Sequence, residues 1–403
     1  MLIVKKFGGT SVETPEKIRD VAVRCAEDYR HGEDVVVVVS AMGSTTDDLI
    51  ALAHSVQENP SKREMDMLLA TGEQISAALL AMALDAQGIR AVSLNAFQTM
   101  VHTTNSYGNA RVQKIDTERI MHEVEDRRIV IVTGFQGVNR YGDLTTLGRG
   151  GSDATAVALA AALNADSCEI YTDVDGIYTA DPAICADARL IREISYDEML
   201  DLASLGKTVL HNRAVEMAKK YGVTLVVRSA LNRHEGTIVR EVTDVERMLI
   251  SGVALDRSAD RISVIGLQDE PGVAFRLFNM FAKAGINIDL IIQAVGHDGL
   301  KDITFTVSDH EMEAAMDLLS RNQKRLKYKS VSTDRDVAKL SIVGAGMMSN
   351  SGVAARFFEA LYNEGININM ITTSEIRITV LVADEDGEHA VRAVHDAFQL
   401  GKE

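Results

Sequence analysis

The stretch T-T-L-G-R-G-G-S-D, from Thr145 to Asp153, is followed at once by the apolar run A-T-A-V-A-L-A-A-A-L. Three glycines surround Arg149, and Ser152 and Asp153 are residue types that cap helices. Glycines permit tight turns, and the free N–H groups of a first helical turn attract anions. Arg149 can bind a carboxylate or a phosphate through two hydrogen bonds. The stretch predicts an anion site at a helix N-terminus; the simpler alternative is a glycine turn joining two elements.

Around this stretch, the first part of the chain alternates strand-like and helix-like segments. The predicted strands are Leu2–Phe7, Val35–Val39, Ala91–Leu94, Ile129–Thr133, Cys168–Thr172 and Leu225–Val227. The predicted helices are Pro15–Tyr29, Thr46–Val56, Met65–Ala86, Ala154–Leu163, Ser195–Ala203 and Asn212–Lys220. This alternation is typical of an α/β fold with a mostly parallel sheet covered on both faces. In such sheets, ligands bind beyond the carboxyl ends of the strands.

The last part of the chain contains an internal repeat. At a constant shift of 80, ten of the twenty positions from Gly272 to Ile291 are identical to those that begin at Gly352. Each copy predicts a strand, a helix, a strand starting at I-N-I, a second strand and a second helix, as in a ferredoxin-like βαββαβ unit. The alternative is a duplicated structural support. The polar segment Arg228–Asp244 is the predicted linker to this part.

Composition excludes several classes of partner. The 403 residues carry a formal charge of −16, which argues against nucleic acid or an anionic membrane as a main partner. The three cysteines show no C-x-x-C spacing, so we expect ordinary thiols in a reducing cytoplasm and no metal site. The N-terminus is charged after four residues, unlike a signal peptide, and the apolar runs are too short to span a bilayer.

Four further motifs follow predicted strands or lie in a helix. K-F-G-G-T-S (Lys6–Ser11) suits a phosphate held by backbone N–H groups and one ammonium, although it also fits an exposed lysine before a turn. S-A-M-G-S-T-T-D (Ser40–Asp47) offers hydroxyls to a carboxylate, or is a serine-rich turn. T-G-E (Thr71–Glu73) offers an acid to an ammonium, or a solvated helix face. The acidic loop Tyr171–Pro182 suits a nucleotide, or is an Asx-turned loop.

These pieces together supply two cations and two glycine turns without a nucleophile–base pair. That profile indicates phosphoryl transfer, in which positioning and charge neutralisation do most of the catalysis.

The motifs K-F-G-G-T-S-V, V-S-A-M-G, T-T-L-G-R-G-G-S-D and Y-T-D-V-D-G-I-Y-T-A-D-P resemble the signatures of aspartate kinase, a family of the amino-acid kinase superfamily. The repeat resembles its pair of C-terminal ACT domains. The resemblance covers essentially the whole chain. It implies a catalytic domain over 1–245, ACT domains over 246–335 and 336–403, and ATP-dependent phosphorylation of the β-carboxylate of L-aspartate.

The resemblance also implies roles for particular residues. Lys6 would stabilise the transferring phosphoryl group, Asp153 would orient Lys6, and Arg149 would bind the α-carboxylate of aspartate. The other implied substrate contacts are Ser40, Thr46, Glu73 (to the ammonium), Gly150, Gly151 and Ser152. The implied ATP contacts are Lys6, Phe7, Gly8, Gly9, Thr172, Asp173, Tyr178, Thr179, Ala180, Asp181 and Pro182. Mg²⁺ would be carried mainly by the phosphates.

By the same resemblance, the ACT pair is a sensor for lysine, threonine or both. The implied effector contacts are Asp269, Asn287, Ile288, Asp289 and Gln293 in the first copy, and Asn367, Ile368, Ser374 and Glu375 in the second. Pairing through ACT domains implies a homodimer or higher oligomer. Met248 lies where some relatives start a separate small ACT-only subunit. Many relatives have a lysine at the position of Thr208, whereas this chain has its lysine one residue earlier, at Lys207. Whether a residue here contacts the nucleotide is therefore an open question.

Two other functions compete with this interpretation. Another amino-acid or carbamate kinase is disfavoured by the ACT pair and by the joint presence of Glu73 and Arg149. A non-catalytic ACT sensor is disfavoured by the retention of Lys6, Arg149 and Asp153.

Overall fold

The computed structural model describes residues 1–203, 209–242, 249–295, 299–348 and 350–402. The chain divides into two compact units. The first comprises Met1–Tyr178 and Leu190–Val245, and the second comprises Thr179–Arg189 and Glu246–Glu403. The predicted catalytic domain, 1–245, therefore differs from the first unit by the segment Thr179–Arg189. The predicted boundary at 245 falls in 243–248, outside the described residues.

The first unit is built from alternating strands and helices. Its strands are β1 (Leu2–Phe7), β2 (Asp34–Val39), β3 (Ala91–Leu94), β4 (Val101–Thr103), β5 (Val112–Ile115), β6 (Ile129–Thr133), β7 (Gln136–Val138), β8 (Leu144–Thr146), β9 (Ser167–Thr172), β10 (Glu193–Ile194), β11 (Leu225–Ser229) and β12 (Thr237–Val239). Its helices are α1 (Pro15–Arg30), α2 (Thr45–Val56), α3 (Lys62–Leu69), α4 (Thr71–Asp85), α5 (Glu118–Glu125), α6 (Gly151–Leu163), α7 (Tyr196–Ala203) and α8 (Asn212–Tyr221).

The main sheet of this unit has the strand order β10-β12-β11-β9-β1-β2-β6-β3 in the described part of the chain. Its pairs are parallel except for β11 with β12. Both faces of β2 are buried: Val35, Val37 and Val39 pack with α1 and α4, while Val36 and Val38 pack with α6. This confirms the predicted α/β sandwich with a mostly parallel sheet covered on both faces.

A second, antiparallel-rich sheet of order β5-β4-β7-β8 was not predicted. Its strands are only three or four residues long, too short for a period-two pattern to stand out. The predicted helix Met65–Ala86 is also two helices, α3 and α4, which meet at Ala70.

One continuous helical stretch, Lys62–Asp85, is apolar and long enough to cross a membrane when judged by length and composition alone. It consists of α3 and α4, and 44% of its apolar window is buried inside the protein. It also carries two buried carboxylates, Asp66 and Glu73. A core helix of a folded protein meets the same criterion.

The second unit contains the repeat. Its strands are β13 (Gly252–Asp256), β14 (Ala259–Gln268), β15 (Ile291–Val295), β16 (Leu300–Ser308), β17 (Ser330–Asp334), β18 (Val337–Val343), β19 (Met370–Thr373) and β20 (Arg377–Ala383). Its helices are α9 (Val273–Ala284), α10 (Met312–Leu326), α11 (Val353–Asn363) and α12 (Gly387–Ala397).

Two antiparallel sheets result, with orders β15-β16-β14-β17 and β13-β18-β20-β19. The first copy is a complete βαββαβ unit. In the second copy the fourth strand position is filled by β13, which precedes the first copy in sequence and pairs Gly252 with Val343. The two predicted ferredoxin-like units are confirmed, but Gly252–Asp256, predicted within the first ACT domain, belongs to the sheet of the second.

The strands predicted to start at I-N-I begin later, at Ile291 and Met370. Residues 286–290 and 366–369 have no regular secondary structure, although Ile286 and Ile366 are buried. Their apolar side chains anchor a loop to the core.

Candidate active site

The ends of β1 and β2 meet closely at one edge of the main sheet. Ser40 N–H donates to Phe7 O at 3.1 Å, and Gly43 N–H donates to Gly9 O at 3.1 Å. A Cβ on Gly9 would lie 2.9 Å from the carbonyl oxygen of Ala41, so only glycine fits this approach. The two predicted glycine turns are thus packed against each other at the carboxyl ends of parallel strands.

Lys6 and Asp153 form an ion pair beside these turns. Lys6 Nζ lies 2.6 Å from Asp153 Oδ1, and each side chain is only about a tenth exposed. A Cβ on Gly8 would lie 3.5 Å from Lys6 Nζ, which places the ammonium next to the backbone of the turn. The pair joins two motifs that are far apart in the sequence, and their proximity supports the predicted orientation of Lys6 by Asp153.

Helix α6 begins three residues earlier than predicted. Its N-cap is Gly150, in the left-handed region with φ of 67°, and no side chain caps the helix. Ser152 and Asp153 are therefore buried first-turn residues rather than caps. A Cβ on Gly150 would lie 2.3 Å from the ring of His211, so a larger residue would displace the turn that precedes the helix.

The loop that carries Arg149 is held by side chains on both sides. The buried carboxylate of Asp66 accepts hydrogen bonds from Gly108 N–H at 2.9 Å, and from the N–H and hydroxyl of Thr146 at 2.9 and 2.7 Å. Arg213 donates to the carbonyls of Leu147 and Ala110, both at 2.8 Å. Arg149 itself is exposed and makes no hydrogen bond or ion pair with another described residue. A fixed loop therefore presents a guanidinium that pairs with none of the described residues.

Glu73 is a buried carboxylate in the first turn of α4, with 3% exposure. Oε1 accepts a hydrogen bond from Ala41 N–H at 3.2 Å, just beyond the end of β2. Oε2 has no hydrogen-bond partner among the described residues. Burial raises the pKa of Glu73 to about 7. A buried carboxylate with a free oxygen favours a cationic ligand group over the solvated helix face that was the alternative.

The predicted hydroxyl contacts lie near the same edge. Ser40 follows β2 directly, and its carbonyl accepts a hydrogen bond from the hydroxyl of Ser76 at 2.7 Å. Thr46 lies in the first turn of α2. Both side chains are half-buried.

The predicted nucleotide contacts beyond the turn Lys6–Gly9 fall into two groups. Thr172, at the end of β9, and Asp173 line a cavity of about 390 Å³ that α1 also borders. Tyr178 belongs to the same unit. The remaining predicted contacts are in the second unit, where Thr179 is hydrogen-bonded to His395 and Ala180 lies in the hydrophobic core.

The side chains of Thr179 and Ala180 therefore face the core of the second unit rather than a strand edge. The other two residues of this group, Asp181 and Pro182, are exposed. Lys207 and Thr208, the departure from relatives noted above, lie outside the described residues.

On the opposite face of β1, Lys5 is buried in a separate network. Its Nζ lies 2.9 Å from Glu169 Oε2 and 3.2 Å from the hydroxyl of Tyr171, and it also pairs with Asp28. Burial alone would lower the pKa of Lys5, but Tyr171 and Glu169 outweigh it and hold that pKa above its ordinary value. Two adjacent lysines thus have different surroundings, because successive strand residues point to opposite faces.

The predicted effector contacts lie on the ACT copies, mostly exposed. Asp269 pairs with Lys301 at 2.6 Å. Asp289 accepts from Lys339 Nζ at 2.6 Å, and the same ammonium lies 2.7 Å from Asp256 on β13. The remaining exposed candidates are Asn287, Gln293, Asn367, Ser374 and Glu375, while Ile288 and Ile368 are half-buried.

Three residues that support the site were missed by the sequence analysis: Asp66, His211 and Arg213. Asp66 sits in a helix without a motif, and Arg213 donates to backbone carbonyls far away in the sequence. Gly150 was the one sequence feature that could have indicated this packing, because a glycine can mark a position where a neighbouring side chain leaves no room for a Cβ.

Comparison with known proteins agrees with this geometry. Residues 1–229 match the amino acid kinase family, and residues 261–322 and 340–398 match ACT domains. The chain is thus an amino acid kinase with a regulatory ACT pair. It is 48% identical to the aspartokinase of Bacillus sp. (strain MGA3) over 400 residues, covering 99% of this chain and 97% of that protein. The chain belongs to the aspartokinase family, and the predicted resemblance is confirmed.

Two solved structures of Escherichia coli aspartokinase III are similar along the whole chain. One is a complex with aspartate and ADP in the R-state, the other a complex with lysine and aspartate in the T-state. Each has a TM-score of 0.80 and 25% sequence identity, and covers 98% of this chain and 99% of its own.

Proposed function

We propose that this enzyme transfers the γ-phosphoryl group of ATP to the β-carboxylate of L-aspartate. The product, 4-phospho-L-aspartate, leads to lysine, threonine, methionine and diaminopimelate. The ion pair of Lys6 with Asp153 beside the glycine turns is the observation that carries this proposal, together with the family membership of the chain.

Phosphoryl transfer at this site depends on charge rather than on proton removal. The attacking β-carboxylate is already ionised near neutral pH, because an unperturbed carboxyl group of this type has a pKa of about 4. Lys6, held by Asp153, would neutralise charge on the transferring group, and the N–H groups of Gly8 and Gly9 would donate to its oxygens.

Two opposite charges would define the amino acid substrate. Among the described residues nothing pairs with the guanidinium of Arg149 or with Oε2 of Glu73. The guanidinium suits the α-carboxylate, and Oε2 suits the α-ammonium. The hydroxyls of Ser40 and Thr46, with the first turn of α6 from Gly150 to Ser152, would complete the pocket. A substrate lacking either charged group would leave one of these charges without a partner.

The nucleotide would lie near the end of β9, against Thr172, Asp173 and Tyr178. Carboxylates here are already engaged: Asp153 pairs with Lys6, and Asp175 accepts from Asn232 and lies 3.1 Å from His234. In the described part of the chain no His, Cys, Asp and Glu cluster at this edge is compact enough to hold a metal ion. This donor set fits Mg²⁺ carried on the ATP phosphates, where it would neutralise phosphate charge.

The direct test is ATP-dependent formation of aspartyl hydroxamate, run with and without lysine and threonine. We expect hydroxamate from L-aspartate and little from amino acids that lack the β-carboxylate. Equal activity on another acceptor, with none on aspartate, would assign the chain to a different amino acid kinase.

Arg149→Ala should raise the KM for aspartate by about two orders of magnitude with little change in stability. The exposed side chain makes no hydrogen bond or ion pair with another described residue, whereas two charge-assisted hydrogen bonds to a carboxylate are worth about 3 kcal/mol. Steady-state kinetics and thermal unfolding measure the two effects. Arg140→Ala is the matched control, because Arg140 is another exposed arginine of the same unit. A normal KM in Arg149→Ala rules out this substrate contact.

The ACT copies would bind the end-product amino acids and thereby inhibit. The complex of Escherichia coli aspartokinase III with lysine supports an amino acid effector, although which effector acts here depends on residues that differ between the copies. We propose that Asp289 recognises an effector ammonium, in competition with Lys339.

We further propose a cytoplasmic enzyme that pairs through its ACT domains. The start of a separate regulatory subunit at Met248 lies outside the described residues.

Asp289→Asn should raise the inhibitory concentration of the effector at least about tenfold, since it removes one charge from a charge-assisted contact. Inhibition curves for lysine and threonine measure this. Asp256→Asn is the control, because Asp256 shares Lys339 but is not an effector candidate. Equal loss of inhibition in both variants would mean that Asp289 acts through Lys339 rather than by contacting the effector.

A further inference from the structure

A group of potential metal ligands lies in the second unit and contains none of the effector candidates. Cys185, Asp187 and His395 each direct one ligand atom into a space where all three atoms lie within 4.8 Å of one another. Cys185 and Asp187 belong to the segment Thr179–Arg189, and His395 lies on α12. The group therefore joins two parts of the chain that are distant in sequence.

His395 is fully buried, with 0% exposure, and its two ring nitrogens have different surroundings. Nε2 lies 3.0 Å from the hydroxyl oxygen of Thr179, which also accepts from Arg189 N–H. Nδ1 has no hydrogen-bond partner among the described residues and lies 3.7 Å from Asp187 Oδ1. If Nε2 carries the proton and donates to Thr179, Nδ1 presents a lone pair towards Asp187, as in a histidine oriented for metal binding.

Cys185 contributes a free thiol that is 3% exposed. Burial raises the pKa of this thiol to about 11, and the charges of Asp187 and Asp396 act in the same direction. A metal ion that binds this sulfur must displace the proton of the thiol.

We propose that Cys185 Sγ, Asp187 and His395 Nδ1 bind a divalent transition metal ion of the zinc class, with a water molecule as fourth ligand. A thiolate, an imidazole and one carboxylate form a donor set suited to Zn²⁺ or Co²⁺ rather than to Mg²⁺ or Ca²⁺. Bonds of about 2.0–2.3 Å require the ligand atoms to approach one another by less than about 1.5 Å. The exposed side chain of Asp187 can supply most of this movement.

Such an ion would fasten the segment Thr179–Arg189 to the last helix of the chain. The segment already packs there, because Ala180 and Cys185 belong to the same hydrophobic core as Val391 and Val394 of α12. Sequence analysis predicted no metal site, since the cysteines lack paired spacing and the histidine lies far along the chain. This proposal does not depend on the proposed substrate.

The test is Co²⁺ titration of the purified full-length protein after removal of metals with EDTA. We expect one equivalent to bind per chain, with a thiolate-to-cobalt charge-transfer band, and Zn²⁺ to displace it. Binding should weaken as pH falls, because a proton is released. Thermal unfolding should shift upward by about 2–4 °C at saturating Zn²⁺.

Variants with a matched control locate the ion. Cys185→Ser and Asp187→Asn should weaken Co²⁺ binding at least about 100-fold and remove the shift in unfolding temperature. Cys25→Ser should bind as the wild type does, because Cys25 lies in the first unit. Absence of the charge-transfer band, or a band that survives in folded Cys185→Ser, overturns the proposal.

Discussion

Replacing Lys6 with methionine should lower kcat by about four orders of magnitude while the protein stays folded. The lysine ammonium is held by Asp153 next to the backbone of Gly8, where phosphate oxygens would approach. Preorganised charge of this kind supplies much of the catalysis in phosphoryl transfer, so its loss should appear in kcat rather than in aspartate binding. Methionine has about the length of the lysine stem as far as Cε and removes the ammonium with its charge and its hydrogen-bond donors.

The adjacent Lys5 provides the control for this prediction. Lys5→Met would leave Glu169 as a buried carboxylate that has lost its principal cation, which should cost about 3–5 kcal/mol of unfolding free energy. Each variant leaves a carboxylate without its lysine, Asp153 or Glu169, so urea unfolding measures the stability that each loses. Kinetics separate the two roles, because only Lys6→Met should also lose turnover. A Lys6→Met enzyme with kcat within tenfold of wild type would remove Lys6 from the catalytic step.

Glu73→Gln should raise the KM for aspartate by about three orders of magnitude and make the protein more stable at alkaline pH. Glutamine keeps the shape and the hydrogen bond from Ala41 N–H but removes the charge that would pair with the substrate ammonium in a desolvated site. Wild-type KM should also rise as pH falls below about 7, where Glu73 becomes protonated in the free enzyme.

The sign of the stability effect follows from the same pKa. The pKa of Glu73 is about 7 in the folded state and has the ordinary glutamate value of 4.5 in the unfolded state, so the folded state binds more protons between these values. Its contribution to stability is therefore lost as pH rises from 4.5 to 7. The unfolding free energy of Glu73→Gln relative to wild type should increase by about 2 kcal/mol from pH 5 to pH 8. An unchanged difference across this range, or an unchanged KM, contradicts the role given to Glu73.

Sequence patterns predicted the main sheet well because its strands are uninterrupted apolar runs. Val35–Val39 and Ile129–Thr133 are buried on both faces, and such runs between helical segments have few other interpretations. The site could be approached in the same way, since glycine turns at the ends of parallel strands must meet at one edge. The resemblance of four ordered motifs to one family then assigned roles to the charged residues Lys6, Glu73 and Arg149.

The remainder could not be predicted because it depends on packing between distant segments. The segment Thr179–Arg189 looks like a continuation of an acidic loop, and only its burial against α12 places it in the second unit. The pairing of β13 with the sheet of the second ACT copy has no local sequence signature, because an edge strand has the same residue pattern whichever sheet it joins. The residues of T-G-E alone left open whether Glu73 is solvated or binds an ammonium, since a single acid in a helix is most often solvated, and only the fold shows that Glu73 is buried.

The pairing of β13 with β18 has a consequence for synthesis of the chain. On the ribosome, β13 emerges before the whole of the first ACT copy, yet its hydrogen-bonding partner emerges after it. Until then β13 is an unpaired edge, available to the equivalent strand of a neighbouring nascent chain. A single cut between the copies would likewise fail to release two intact domains, because the severed second copy would lack its outer strand.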